Sequence, residues 1–212
     1  MKECIIEKTI KKIREIDLGR MKSTKYGNFG GVWARTSYSA FFVLDSILNI
    51  LKPDVIVEIG TWRGGLSCYL KTWSSLSEKS VSFLTIDIED LLSEEVRSYL
   101  KDSFVQTDSF SEKGLDLVKQ TSDLKSTCIY CDGGNKEKEL ETFSRFIGSG
   151  SIIGCHDYGT EVDPEKVREF MKDDFVEIFT MEQIKELGNL QQFWMRKRSI
   201  QACLKRTGGR SC

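Results

Sequence analysis

Residues 55–65, Val-Ile-Val-Glu-Ile-Gly-Thr-Trp-Arg-Gly-Gly, constrain the fold more than any other stretch of this chain. A β-branched apolar run reaches Glu58, then Gly60, Gly64 and Gly65, and then Leu-Ser-Cys-Tyr-Leu, which opens a helix. Strand, glycine-rich turn, helix is how open α/β sheets hold a nucleotide-like ligand. Glycine lets the backbone turn tightly and approach the ligand, because no Cβ intervenes. The helix N-terminus adds unpaired N–H groups and the positive end of a dipole.

The same alternation continues along the chain. Helical spacing of Ile5, Ile6, Ile10, Ile13 and Ile16 predicts an amphipathic helix over 1–20. Residues 21–37 are turn-rich and aromatic and read as a loop or lid. A helix over 38–51 is stopped by Pro53. Strands are expected at 55–59, 81–88, 104–107, 127–131, 151–155, 175–180 and 190–196. Helices fall between them, to about residue 75, then at 94–101, 111–121, 136–147, 164–172 and 181–187. The domain reading is therefore an N-terminal helix and lid over 1–37, one α/β domain over 38–197 and a frayed tail over 198–212. The fold class is a Rossmann-like doubly wound sheet of seven mostly parallel strands with helices on both faces.

Ligands of such sheets bind beyond the carboxyl ends of the strands. Successive strands there deliver Glu58 and Gly60, then Asp87, then Asp108 and Ser109, then Asp132-Gly-Gly-Asn-Lys136, then His156-Asp157-Tyr158. Polar residues thus gather at one edge of the sheet.

At 212 residues and 40% hydrophobic content the chain supports one core. A net charge of -1 argues against nucleic acid or an anionic membrane as partner. No apolar run approaches the ~20 residues needed to cross a bilayer, and the first residues do not read as a signal peptide. Seven cysteines without a compact framework suggest reduced thiols in a cytoplasmic protein. Cys128 and Cys131 form a Cys-x-x-Cys inside a strand-like run, which favours buried thiols over a redox or zinc pair.

Three motifs in order, Glu58-Ile-Gly-Thr-Trp-Arg-Gly-Gly, Asp132-Gly-Gly and His156-Asp157-Tyr158, resemble class I S-adenosylmethionine-dependent methyltransferases. The resemblance covers roughly 38–197. It is narrower for the branch holding small-molecule O-methyltransferases and cephalosporin hydroxylase-like proteins. It implies a final antiparallel strand, supplied by 190–196. It implies that Glu58 and Gly60 line the methionine end of S-adenosyl-L-methionine, and that Thr61, Trp62, Gly64 and Asp132 also bind the cofactor. Asp87 would bind the ribose hydroxyls, and Asp108 and Ser109 would lie beside the adenine. Metal-dependent members hold a divalent cation after the fourth and fifth strands, which points here to Asp132 and Asp157, with Mg²⁺ suited to such oxygen ligands. Two departures stand out: Asn135 where relatives often carry His, and Tyr158 where a further metal ligand commonly follows.

Methyl transfer to a hydroxyl requires positioning, a group that lowers the acceptor's pKa and a base. His156, the only histidine, and Lys136 are the candidate bases. The expected substrate is a small hydroxylated molecule, a sugar or secondary metabolite, and the first helix offers a face for a homo-oligomer. Plainer readings stand beside these. The glycines could serve only a tight turn, Asp108-Ser109 only a helix cap, and the aspartates only solvated turns. Two other functions stay open as well. A nicotinamide-dependent oxidoreductase is disfavoured because the glycine spacing is not Gly-x-Gly-x-x-Gly. A non-catalytic binding module is disfavoured by so many carboxylates at one edge.

Overall fold

Val55–Ile59 is a strand with all five residues buried. A β-branched run without polar alternation takes this place where helices cover both faces of a sheet. In the computed structural model of the protein, residues 26–197 are described, apart from 124 and 188–190, together with Lys11. The helix expected over 1–20 and the tail over 198–212 otherwise lie outside the described residues.

In chain order the elements are β1 (Tyr26–Phe29), β2 (Val32–Ser37), α1 (Tyr38–Leu51), β3 (Val55–Ile59), α2 (Gly65–Leu76), β4 (Ser82–Asp87) and α3 (Glu94–Leu100). They continue with β5 (Phe104–Gln106), α4 (Glu112–Ser122), β6 (Thr127–Cys131), α5 (Lys136–Phe143) and β7 (Ile152–Cys155). The last are α6 (Pro164–Met171), β8 (Phe175–Glu177), α7 (Met181–Leu187) and β9 (Gln192–Arg196). Seven strands form one sheet in the order β5-β4-β3-β6-β7-β9-β8. Six run in the same direction, and β9 runs antiparallel to both its neighbours, β7 and β8, as expected. The strand order reverses direction between β3 and β6, so a crevice opens beyond their carboxyl ends, at Ile59 and Cys131.

Several boundaries shift by one or two residues, and two differ from expectation by three or four, for local reasons. Helix α5 ends at Phe143 because the Phe146 N–H bonds to the Phe143 carbonyl, tightening the chain into turns. Strand β8 ends at Glu177 because the Gln192 side chain takes over from the ladder. Its Oε1 accepts from Phe179 N at 3.1 Å and its Nε2 donates to Phe179 O at 2.6 Å.

A larger difference lies at the start. Of the segment read as a loop or lid, residues 26–37 form an antiparallel hairpin of β1 and β2. Gly30 (φ +58°) and Gly31 (φ +87°) make its two-residue turn. Positive φ at both central positions gives the turn whose twist matches paired strands. The hairpin docks through aromatic rings: Phe29 packs edge-on against Tyr69 of α2 at 5.6 Å, and Tyr69 against Phe41 of α1 at 5.1 Å.

Cys128 and Cys131 are free and fully buried in β6, and burial pushes the Cys128 thiol up to about 12. Buried thiols of this kind are structural. No helix among the described residues is long and apolar enough to cross a membrane.

Candidate functional site

Beyond the reversal point lies a cleft of about 580 Å³ that Glu58, Asp87, Asp132 and Asp157 all line. A smaller hollow of about 240 Å³ shares Gly60, Asp87, Ile88 and Gly133 with it and is also lined by Asp108, Ser109 and Phe110. The carboxylates scattered through the sequence therefore converge on one place. Another hollow, of about 630 Å³, lies between the C-terminal ends of α1 and α2, away from this convergence.

The turn after β3 is built around a close approach of two backbones. Gly60 has φ +95°, and a Cβ there would stand 2.5 Å from the Asp132 carbonyl oxygen. Only glycine fits that conformation and that gap. The next two amides, Thr61 N and Trp62 N, both donate to Asp87 Oδ2 at 2.8 Å. Glu89 N donates to Asp87 Oδ1 at 3.1 Å. Asp87 thus anchors the glycine turn from β4 and holds Trp62 at φ +48°, a conformation that needs such support.

Glu58 is 1% exposed and sits beneath this turn. Its Oε2 accepts from Ser67 Oγ at 2.5 Å and from Thr85 Oγ1 at 2.6 Å. Thr85 is then free to accept from the Thr61 hydroxyl, 2.6 Å away. Burial pushes the Glu58 carboxyl up to about 8, against the pull of the two hydroxyl bonds.

Across the cleft, the ends of β6 and β7 bring charges together. Asp132, His156 and Asp157 offer ligand atoms within 4.8 Å of one another. His156 Nδ1 lies 3.1 Å from Asp157 Oδ2 and 3.7 Å from Asp132 Oδ1. Lys136, the first residue of α5, reaches into the same cluster. Its Nζ is 2.6 Å from Glu161 Oε2, 3.2 Å from Asp157 Oδ2 and 3.8 Å from Asp132 Oδ1. Burial pushes Asp132 up to about 6, with His156 and Lys136 pulling the other way. The His156 hydrogen bond holds Asp157 down at about 2. Burial lowers the proton affinity of His156 and Lys136, but the surrounding carboxylates outweigh it and raise both.

The nucleoside cofactor implied by the resemblance fits the first half of this site. There are a glycine cradle, carboxylates facing a cleft and an adjoining hollow sized for a ring. A divalent cation fits the second half poorly. Mg²⁺ demands near-octahedral oxygen ligands at roughly 2.0–2.1 Å, whereas an ammonium already stands among the carboxylates. The two positions flagged as departures are engaged elsewhere. Asn135 caps α5, its Oδ1 accepting from Lys138 N at 3.1 Å, and the Tyr158 hydroxyl donates to Glu177 Oε1 at 3.1 Å.

Every expected site residue except Gly64 lines one of the two hollows. Gly64 lies behind the turn as the N-cap of α2, where a Cβ would meet Val96. Asp108 also closes a local turn, its Oδ1 accepting from Phe110 N at 2.8 Å. Sequence reasoning missed three contributors. Thr36, on β2, lines the cleft with a buried Oγ1 that has no partner among the described residues. Glu161 completes the charge cluster. Glu139 holds the turn after β6 by accepting from Gly133 N and Asn135 N. The Gly-Gly flanked by apolar residues was the available signal for the hairpin that carries Thr36.

No protein-family model matches the sequence, and no curated protein does. Solved structures do match. The apo structure of CmcI is 13% identical with a TM-score of 0.61, covering 82% of this chain and 77% of that one. A structure of CmcI with Mg and SAM is 14% identical at 0.60, covering 80% and 76%. The O-methyltransferase TomG of Streptomyces achromogenes, involved in tomaymycin synthesis and solved with SAM, is 16% identical at 0.50, covering 92% and 91%. At identities of this size what is shared is the fold, and this chain has the Rossmann-like fold of solved O-methyltransferases.

Proposed function

We propose that this protein is an S-adenosylmethionine-dependent methyltransferase acting on a hydroxyl oxygen of a small molecule, a sugar or secondary metabolite. The observation that carries the reading is the convergence of Glu58, Asp87 and Asp132 on a glycine turn at the reversal point of the sheet. The fold shared with methyltransferases solved with SAM supports it.

In this reading Asp87 accepts from the ribose hydroxyls, a charge-assisted bond that discriminates well. Both its oxygens already accept backbone N–H groups, so the carboxylate is held rigid for a ligand. Glu58, Gly60, Thr61, Trp62 and Asp132 surround the methionine end, with Gly64 shaping their turn, and Asp108 and Ser109 border the adenine hollow. The bound cofactor supplies an electrophilic methyl on a sulfonium. The chain's own contribution is to align the acceptor oxygen with that methyl, and alignment alone can supply roughly 7–11 kcal/mol at best. His156 takes the acceptor proton in its neutral form, oriented by its bond to Asp157. Lys136, whose proton is held by neighbouring carboxylates, serves as a fixed positive charge.

A second reading keeps the divalent ion, because Asp132, His156 and Asp157 stand close enough to ligate one. Neither a nucleic-acid nor a membrane partner is proposed. The buried free thiols support a reducing, cytoplasmic setting.

Titration calorimetry with S-adenosylhomocysteine tests the assignment. Folded protein should bind it, and no heat at high micromolar ligand would remove the methyltransferase reading.

A further inference from the structure

We propose that the Lys136 ammonium is the resident cation of the carboxylate cluster, and that this site works without a divalent metal ion. The proposal rests on the methyltransferase reading and concerns how that reaction would manage its charge.

Asp132 comes from the end of β6, Asp157 from the end of β7 and Glu161 from the turn that follows. All three face one Nζ, on a side chain only 7% exposed. An ammonium is a compact point charge with three N–H donors, and a cluster of carboxylates from separate segments suits it. His156 adds a further donor toward Asp157 at 3.1 Å. A divalent ion bound to Asp132 and Asp157 would lie beside the ammonium and be repelled by it. Nor do the neighbouring positions complete an oxygen shell, since the Asn135 amide caps a helix and the Tyr158 hydroxyl turns to Glu177.

The geometry also leaves the ammonium something to do. Glu161 takes one N–H at 2.6 Å and Asp157 stands at 3.2 Å, but Asp132 at 3.8 Å is beyond hydrogen-bond distance. One N–H therefore remains for the oxygen of the acceptor hydroxyl in the same cleft. There it favours the ionised oxygen and fixes its direction, two services a metal performs elsewhere.

Mn²⁺ titration followed by electron paramagnetic resonance, run on the full chain and on Lys136→Met, tests this. S-adenosylhomocysteine calorimetry runs in parallel. The wild type should leave Mn²⁺ free at millimolar concentration and bind S-adenosylhomocysteine equally in EDTA and in Mg²⁺. Lys136→Met should gain Mn²⁺ binding, at least about tenfold tighter, because the uncovered carboxylates then attract the ion. Stoichiometric Mn²⁺ on the wild type overturns the proposal, and so does a folded Lys136→Met that gains none. If Lys136→Met does not fold, Lys136→Gln replaces it under the same two criteria. Failure of the wild type to bind S-adenosylhomocysteine would count against the methyltransferase reading instead, with the Mn²⁺ result still judging the lysine.

Discussion

Asp87 Oδ2 accepts the backbone N–H of Trp62 at 2.8 Å, joining the end of β4 to the glycine turn that follows β3. The same oxygen holds Thr61 N, so one carboxylate both shapes the turn and faces the cleft. These two duties separate by substitution. Asp87→Ala orphans three amides, those of Thr61, Trp62 and Glu89, and should lower unfolding stability by about 1–3 kcal/mol. Asp87→Asn keeps an acceptor and should lose less. Both should weaken S-adenosylhomocysteine binding by roughly tenfold or more, the equivalent of about 1.4 kcal/mol. An Asn variant of unchanged affinity would show that Asp87 serves the turn alone.

Gly60→Ala meets two obstacles at once, a φ of +95° and the Asp132 carbonyl 2.5 Å from the new Cβ. Backbone against backbone cannot yield cheaply, so a loss of about 1–3 kcal/mol in urea unfolding is expected, with cofactor affinity falling alongside. An unchanged urea midpoint would mean that the turns after β3 and β6 are not this close.

Stability should fall as pH rises from mildly acidic to mildly alkaline. Burial raises Glu58 from an ordinary 4.5 to about 8, and Glu139 to about 7. Between those limits the unfolded chain has released protons that the folded chain keeps. The unfolded state therefore binds fewer protons, and stability declines with pH. Asp157, lowered to about 2, has the opposite sign, but its contribution is lost only in stronger acid. Chemical denaturation of Glu58→Gln across pH 5–8 should give a flatter profile than the wild type; parallel profiles would contradict the burial of that carboxyl.

Thr36 is 2% exposed, with a hydroxyl that finds no partner among the described residues while its side chain borders the cleft. Thr36→Val keeps the shape and removes the orphaned oxygen. Stability should hold or rise by up to ~1 kcal/mol, while S-adenosylhomocysteine affinity drops roughly fivefold if a ligand completes that bond. Calorimetry beside thermal unfolding separates the two effects. Unaltered affinity would leave Thr36 as part of the wall only.

Strand β3 and strand β6 were legible to the residue, because a β-branched run of five between turn signals has few other uses in an α/β chain. The caps at Ser93, Ser111 and Asp163 each accept an amide two or three residues ahead, so those helix starts follow from local chemistry. The β1–β2 hairpin was not read, since its Gly-Gly turn lies among residues equally suited to a loop. Only docking on Tyr69 and Phe41 shows that it forms a wall.

What the sequence by itself determined is the alternation of strand and helix and the delivery of a polar residue at nearly every strand end. Both are local, written in hydrophobic period and turn chemistry. What the tertiary structure decided is which of those charges meet. Asp132 and Asp157 suggest a metal when read alone, and Lys136 suggests a base. Once β6 and β7 lie side by side, Glu161 and both aspartates close around the lysine instead. Electrostatic energy depends on distance through space and on burial, and neither is a property of residue order along the chain.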